Sequence, residues 1–265
     1  MLCGMVPDAG GQMPALVDVL ALGAREFDGV SWVFTGFNLP VLAARVARRR
    51  AGSDFVQLLE AGAALDRDTE ELVTSTTDFH AYADVTCYRG NTPDVLLTLI
   101  PRCDLVVLDG ATIDLRGRTN AHAIGPTRHP RVRLPGAGGA PDAAARARDL
   151  LFLNASDDLR RICAQVEHVS TSPAAARRVR LVTRWGILRL GAHPAFEAIL
   201  DGPGVDTAVD HLADLGVDAG AAADAAPLGD EERADAIAVL HEAAGKGYQA
   251  AAQAVAKLPT PVGHR

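Results

Sequence analysis

Short apolar runs punctuate this chain at residues 30–34, 55–59, 104–108, 150–153, 179–183 and 187–190. Each is too short for a helix, is rich in Val, Leu or Ile, and is closed by glycine or a polar residue, which is the pattern of an interior strand. Between them apolar residues return at helical spacing. Residues 13–27 form one such stretch, ending near Gly29, and AARVARRR follows the turn from Thr35 to Pro40. An alanine-rich run begins at Ala143, and residues 193–200, opened by His193-Pro194, and 205–215 read as two more helices. Residues 159–166 read as an amphipathic segment. The strand–turn–helix–strand order over residues 30–59 predicts a βαβ unit, its two strands parallel across a right-handed crossover.

The pattern sets the layout. Residues 1–12, with Gly4, Pro7 and the Gly10-Gly11 pair, form a lead-in without a role, and residues 13–218 form the α/β domain. Residues 219–265 open with an alanine-rich linker and end in a helical arm, interrupted at Gly245 and Gly247 and expected to pack peripherally. A chain of 265 residues with 48% hydrophobic content can bury a sizeable core. Its net charge of −7 argues against a nucleic-acid or anionic-membrane surface. No stretch approaches the roughly 18 apolar residues of a membrane span. The four cysteines, Cys3, Cys87, Cys103 and Cys163, form no C-x-x-C pair and read as free thiols in a reducing, cytoplasmic setting.

Candidate chemistry concentrates at one strand end. The run FVQLLEAG delivers Glu60 onto a tight turn closed by Gly62, and such strand ends open onto the ligand crevice of α/β sheets. An isolated E-x-G turn is more often a solvated acid, so the rest of the chain must change those odds. Gly36 lies in a strand–glycine–helix turn whose helix start presents free N–H groups. Arg45, Arg48, Arg49 and Arg50 fit a solvated helix end better than a phosphate site. Residues 132–142, VRLPGAGGAPD, place Gly136, Ala137, Gly138 and Gly139 just before a helix, where backbone donors can stabilise an oxyanion or cradle a phosphate. The loop fits neither the P-loop nor the dinucleotide fingerprint. His80, Tyr82, Tyr88 and Arg89 form the densest polar aromatic group and are candidates to line a pocket. The eight histidines are scattered, and no metal site is expected.

Taken together, the chain resembles the β-type subunit of class I coenzyme A transferases, in particular the glutaconate CoA-transferase β-like group, which includes the β-type chain of a cholesterol ring-cleaving hydrolase. GFNLP with the following AARVARR, LLEAG with Glu60, DLVVLDGATIDLRGRTN and VRLPGAGGAPD occur in family order across residues 32–215. The resemblance implies an open, mostly parallel α/β sheet with helices on both faces, and an α-type partner subunit. It also implies coenzyme A thioesters and carboxylic acids as substrates, with no permanently bound cofactor. In that family the glutamate of the E-x-G turn forms an acyl anhydride and then a glutamyl-CoA thioester; Glu60 sits on the matching position, and Gly136 to Ala140 match the oxyanion and thioester loop. Residues 80–103 and the tail beyond Ala219 depart from the family text. Three readings follow: CoA transfer through Glu60, hydrolysis or ring cleavage of a CoA thioester, and a non-catalytic ligand-binding or scaffold subunit.

Overall fold

The computed structural model describes residues 14–50, 54–220, 222–224 and 226–259; the lead-in assigned to residues 1–12 lies outside them. In chain order the strands are β1 Trp32–Thr35, β2 Val56–Leu59, β3 Ala63–Leu65, β4 Thr86–Arg89, β5 Leu105–Asp109, β6 Ile113–Asp114 and β7 Ala123–Ile124, followed by β8 Val132–Arg133, β9 Asp149–Leu153, β10 Ile162–Cys163, β11 Arg178–Thr183, β12 Gly186–Leu190, β13 Ala195–Ile199 and β14 Ala223–Asp224. The α-helices are α1 Ala15–Arg25, α2 Leu39–Arg49, α3 Phe79–Tyr82, α4 Ala140–Arg146, α5 Val205–Asp214, α6 Asp230–Gly245 and α7 Gln249–Val255.

Ten strands form one sheet in the order β14-β13-β12-β11-β9-β5-β1-β2-β3-β4. Its centre, β11-β9-β5-β1-β2, is parallel, and β12, β13, β3 and β4 add antiparallel hairpins on the two sides. The central strands are apolar on both faces because both are covered, as buried parallel sheets require. One face carries Val33, Leu59, Val107 and Leu151 against α1 and α2, on which α6 packs in turn. The other carries Phe34, Leu58, Val106, Leu108, Leu150 and Phe152 against residues of α4 and α5 and a six-residue π-helix, Asp94–Leu99. The fold is thus the open, mostly parallel α/β sheet with helices on both faces.

Residues 193–200 do not form the expected helix. The Arg184–Trp185 turn folds β12 back on β11, and Ala195–Ile199 pairs antiparallel with β12, which satisfies the backbone groups a helix would have satisfied internally. Pro194 precedes the strand, where its missing N–H costs no ladder bond. The run AFEAIL contains apolar residues at both spacings, so periodicity did not separate the two. Residues 159–166 likewise give a 3-10 turn, Leu159–Arg161, and the short strand β10.

The C-terminal segment is firmly packed, with α6 laid on α1 and α2. β14 extends the sheet from β13, and α6 buries Ala236, Val239, Leu240 and Ala243 completely against α1 and α2. The small alanine side chains permit this close approach, and ion pairs frame it. Arg25 meets Glu232 at 2.6 Å, Arg45 meets Glu242 at 2.8 Å, and Arg233 meets Asp18 at 3.1 Å. The arginine cluster of α2 is consumed in the same way: Arg45 also pairs with Asp68, Arg49 with Asp235 and Arg50 with Asp28, while Arg48 donates to the Phe55 carbonyl at 2.9 Å and lies over its ring at 4.2 Å. These arginines hold the helical layer to the sheet.

Candidate active site

Glu60 follows β2 at the carboxyl end of the parallel sheet, the edge where the loops after β1, β5 and β9 also emerge. Leu58 and Leu59 fall on opposite faces, and the Glu60 side chain returns to the Leu58 face. Gly62, at φ +112°, turns the chain into β3, and its carbonyl accepts the Gly90 N–H at 2.7 Å. A Cβ placed on Gly62 would lie 2.5 Å from the Gly90 carbonyl oxygen and 2.8 Å from the Asn91 Cα, both backbone atoms with no room to give. Gly62→Ala is therefore expected to destabilise the fold by about 2 kcal/mol or more, a fall of several degrees in Tm; an unchanged melting temperature would refute that packing.

The glycine loop comes to Glu60 from far along the chain. Asp114, fully buried, accepts the Arg116 and Arg118 N–H groups at 2.9 and 3.0 Å and pairs with the Arg118 guanidinium at 2.8 Å, fixing the turn at Gly117. Asn120 then bonds the Ala123 carbonyl, and the β7–β8 hairpin returns the chain so that Gly136 N–H donates to Ala121 at 2.9 Å. The next residues lie on the Glu60 carboxylate. A Cβ on Gly138 would be 3.8 Å from Oε2, and one on Gly139 only 2.9 Å from Cδ and 3.0 Å from Oε1. The Gly139 position is equally close, 2.9 Å, to the Leu96 Cδ1 of the π-helix.

Two features make this contact chemically suggestive. Among the described residues Glu60 makes no hydrogen bond or ion pair. Ala137, Gly138 and Gly139 have no acceptor for their N–H groups there either. A half-buried carboxylate thus lies beside a run of unused backbone donors.

The other candidates separate. Gly36 packs on β5 and gives its N–H to the Val107 carbonyl at 2.9 Å, so that donor serves the sheet. Beside it Asn38 holds φ 66°, ψ −119°, a strained turn conformation for a residue with a side chain. Tyr82 is a core residue, donating its hydroxyl to the Thr76 carbonyl at 2.9 Å, and His80 is exposed on α3. Tyr88 and Arg89 split across the sheet. Tyr88 pairs with Ala64 on the Glu60 face, whereas Arg89 pairs with Ala63 on the other and donates to the Ala83 carbonyl at 3.1 Å. Sequence reasoning did not single out Leu96, which arrives on an apolar run with no signal of its own. No three His, Cys, Asp or Glu side chains cluster to hold a metal among the described residues, and no helix there is long and apolar enough to cross a membrane. Cys87, Cys103 and Cys163 are free thiols, and burial pushes Cys103 up to about 12.

Asp109, also outside the sequence candidates, ends β5 at the same edge. Water reaches it from one side and protein surrounds it on the others; this desolvation pushes its carboxyl up to about 6, against a weaker opposing hydrogen bond from its own N–H. The fold therefore favours the protonated acid, and the folding cost of the carboxylate grows as pH rises from about 4 through 6. Asp109→Asn is expected to leave Tm unchanged at pH 4 and raise it at pH 7.5, by no more than about 1 kcal/mol given solvent screening. Equal Tm differences at both pH values would remove the desolvation argument.

No family model matches the chain. It is 31% identical to the B-type chain of the 3-oxoadipate CoA-transferase of Pseudomonas knackmussii over 142 residues, 49% of this chain and 50% of that protein. It is 27% identical to the B-type chain of the glutaconate CoA-transferase of Acidaminococcus fermentans over 155 residues, 57% of each. The chain thus spans about half the length of the curated relatives it matches. Among solved structures, the decarboxylase AibA/AibB superposes with a TM-score of 0.70 at 27% identity, covering 84% of this chain and 93% of that one. The glutaconate CoA-transferase structure shares the fold at 19% identity, with a TM-score of 0.69 over 84% of this chain and 92% of that one. The sheet and these likenesses place the fold with that of coenzyme A transferase subunits. Within that class the similarity is to the B-type chains of class I coenzyme A transferases.

Proposed function

We propose that the chain is the B-type subunit of an acyl-CoA transferase in which Glu60 carries CoA between acyl groups. The observation that carries this reading is the unpaired Glu60 carboxylate against the unused backbone donors of Ala137, Gly138 and Gly139. A carboxylate is a weak nucleophile unless it is positioned and partly freed of water, and covalent catalysis divides one difficult exchange into easier steps. Glu60 attacks the thioester carbonyl carbon and the CoA thiolate leaves, giving an acyl-glutamyl anhydride. The thiolate then attacks the Glu60 carbonyl, releasing the first acyl group as its carboxylate and leaving a glutamyl-CoA thioester. An incoming carboxylate runs the two steps in reverse. Each tetrahedral stage places negative charge on an oxygen, which is what preorganised N–H groups stabilise.

An A-type chain completes the enzyme, as the names of the relatives suggest for their own proteins. The test is peptide mass after incubating the co-produced pair with acyl-CoAs and reducing with borohydride. A CoA-dependent change confined to the Glu60 peptide is expected. A second reading, thioester chemistry without transfer, is favoured by the likeness to a decarboxylase at 27% identity. Turnover of the thioester with no adduct on that peptide would replace the first reading with the second.

A further inference from the structure

Residues 86–97 supply surroundings of Glu60 that the transferase reading leaves unassigned. β2, β3 and β4 pair so that Leu58, Ala64 and Tyr88 fall in one row, on the face to which Glu60 points. Leu58 and Ala64 are buried, while Tyr88, on the edge strand of the sheet, is 39% exposed. The chain then folds back on the Glu60 turn through the Gly90–Gly62 hydrogen bond. The Tyr88 hydroxyl and the Asp94 Oδ2 both close on Gly90, each 2.5 Å from where a Cβ would stand. Two residues after Asp94, within the π-helix, Leu96 rests at the Gly139–Glu60 contact, and its neighbour Leu97 is 52% exposed.

The charge of this wall is one-sided. Asp94 and Glu60 are acids, and Arg89, the one cation of residues 86–97, alternates to the opposite face of the sheet. An acyl chain lying here meets apolar surface and a phenol hydroxyl, and each methylene it buries is favourable. An acyl chain ending in a second carboxylate loses hydration beside Asp94 and gains no cation from this wall.

We propose that Tyr88, Asp94 and Leu96 form an acyl-selecting wall beside Glu60 that admits uncharged acyl groups and disfavours dicarboxylic ones. This rests on the transferase reading and sets the chain apart from the two relatives named for dicarboxylic acids, 3-oxoadipate and glutaconate. The probes are hexanoyl-CoA and succinyl-CoA, given to this chain co-produced with its A-type chain. The expected ratio of kcat/KM favours hexanoyl-CoA by about tenfold or more, and Tyr88→Arg, a change at an exposed edge position, narrows it by a similar factor. Equal or better use of succinyl-CoA by the unaltered complex would overturn the wall.

Binding to a Glu60→Ala complex separates this inference from the reading beneath it. Selective retention of hexanoyl-CoA there, with no adduct on the Glu60 peptide of the unaltered protein, would sink transfer and keep the wall. Equal binding of the two thioesters, or binding of neither, would sink the wall whatever becomes of transfer.

Discussion

Glu60→Gln is expected to lower CoA-transfer turnover by about 10⁴-fold or more, the scale on which covalent enzymes lose rate when the nucleophile is removed. The substitution keeps the shape and removes only the charge and nucleophilicity. Because the carboxylate makes no hydrogen bond or ion pair among the described residues, no structural contact is lost with it, and Tm should move by less than about 0.5 kcal/mol in equivalent stability. Steady-state turnover with an acyl-CoA and an acceptor acid, measured beside a thermal melt, checks both halves. A variant that keeps a tenth of the activity would end the covalent reading. A variant that fails to fold would mean that Glu60 has a structural partner not visible in this chain alone.

Gly139→Ala should cost about 10²-fold in kcat/KM with the fold intact, since a displacement of about 1 Å in a reacting group has that scale. The backbone at Gly139 is ordinary, φ −81° and ψ 0°, so alanine meets no conformational strain. What it meets is Glu60 Cδ and Leu96 Cδ1, each 2.9 Å from the new methyl group, and both are side-chain atoms that yield by moving. The carboxylate is thereby pushed off the loop. Adding Leu96→Ala to Gly139→Ala should recover part of the lost rate by giving the methyl group another space. Full activity of Gly139→Ala alone would show that Glu60 need not sit against this loop to act.

Several strands were legible because each is a short apolar run closed by a turn, and the β1–α2–β2 crossover came out parallel as its order required. Glu60 and the loop of Gly136 to Gly139 were legible as separate peculiarities, a lone acid on a turn and glycines crowded before a helix. The failures have the same origin. The run AFEAIL carries both periods, and only the neighbouring β12 made it a strand. The C-terminal helix reads from its alanines as an arm without a fixed seat, and only the surfaces of α1 and α2 decided where its buried face lies.

By itself the sequence determined the local order of strands, turns and helices, the acid at the end of β2 and the conformational freedom of its glycines, because these depend on neighbours a few residues away. Only the tertiary structure decided that Gly139 and Leu96 close on Glu60 across 79 and 36 positions of chain, that Tyr88 shares its face while Arg89 does not, and that Asp109 ends β5 at the same edge of the sheet. Those outcomes follow from strand order, register and the alternation of side chains across the sheet, which are fixed by long-range pairing and leave no mark on the residues nearby.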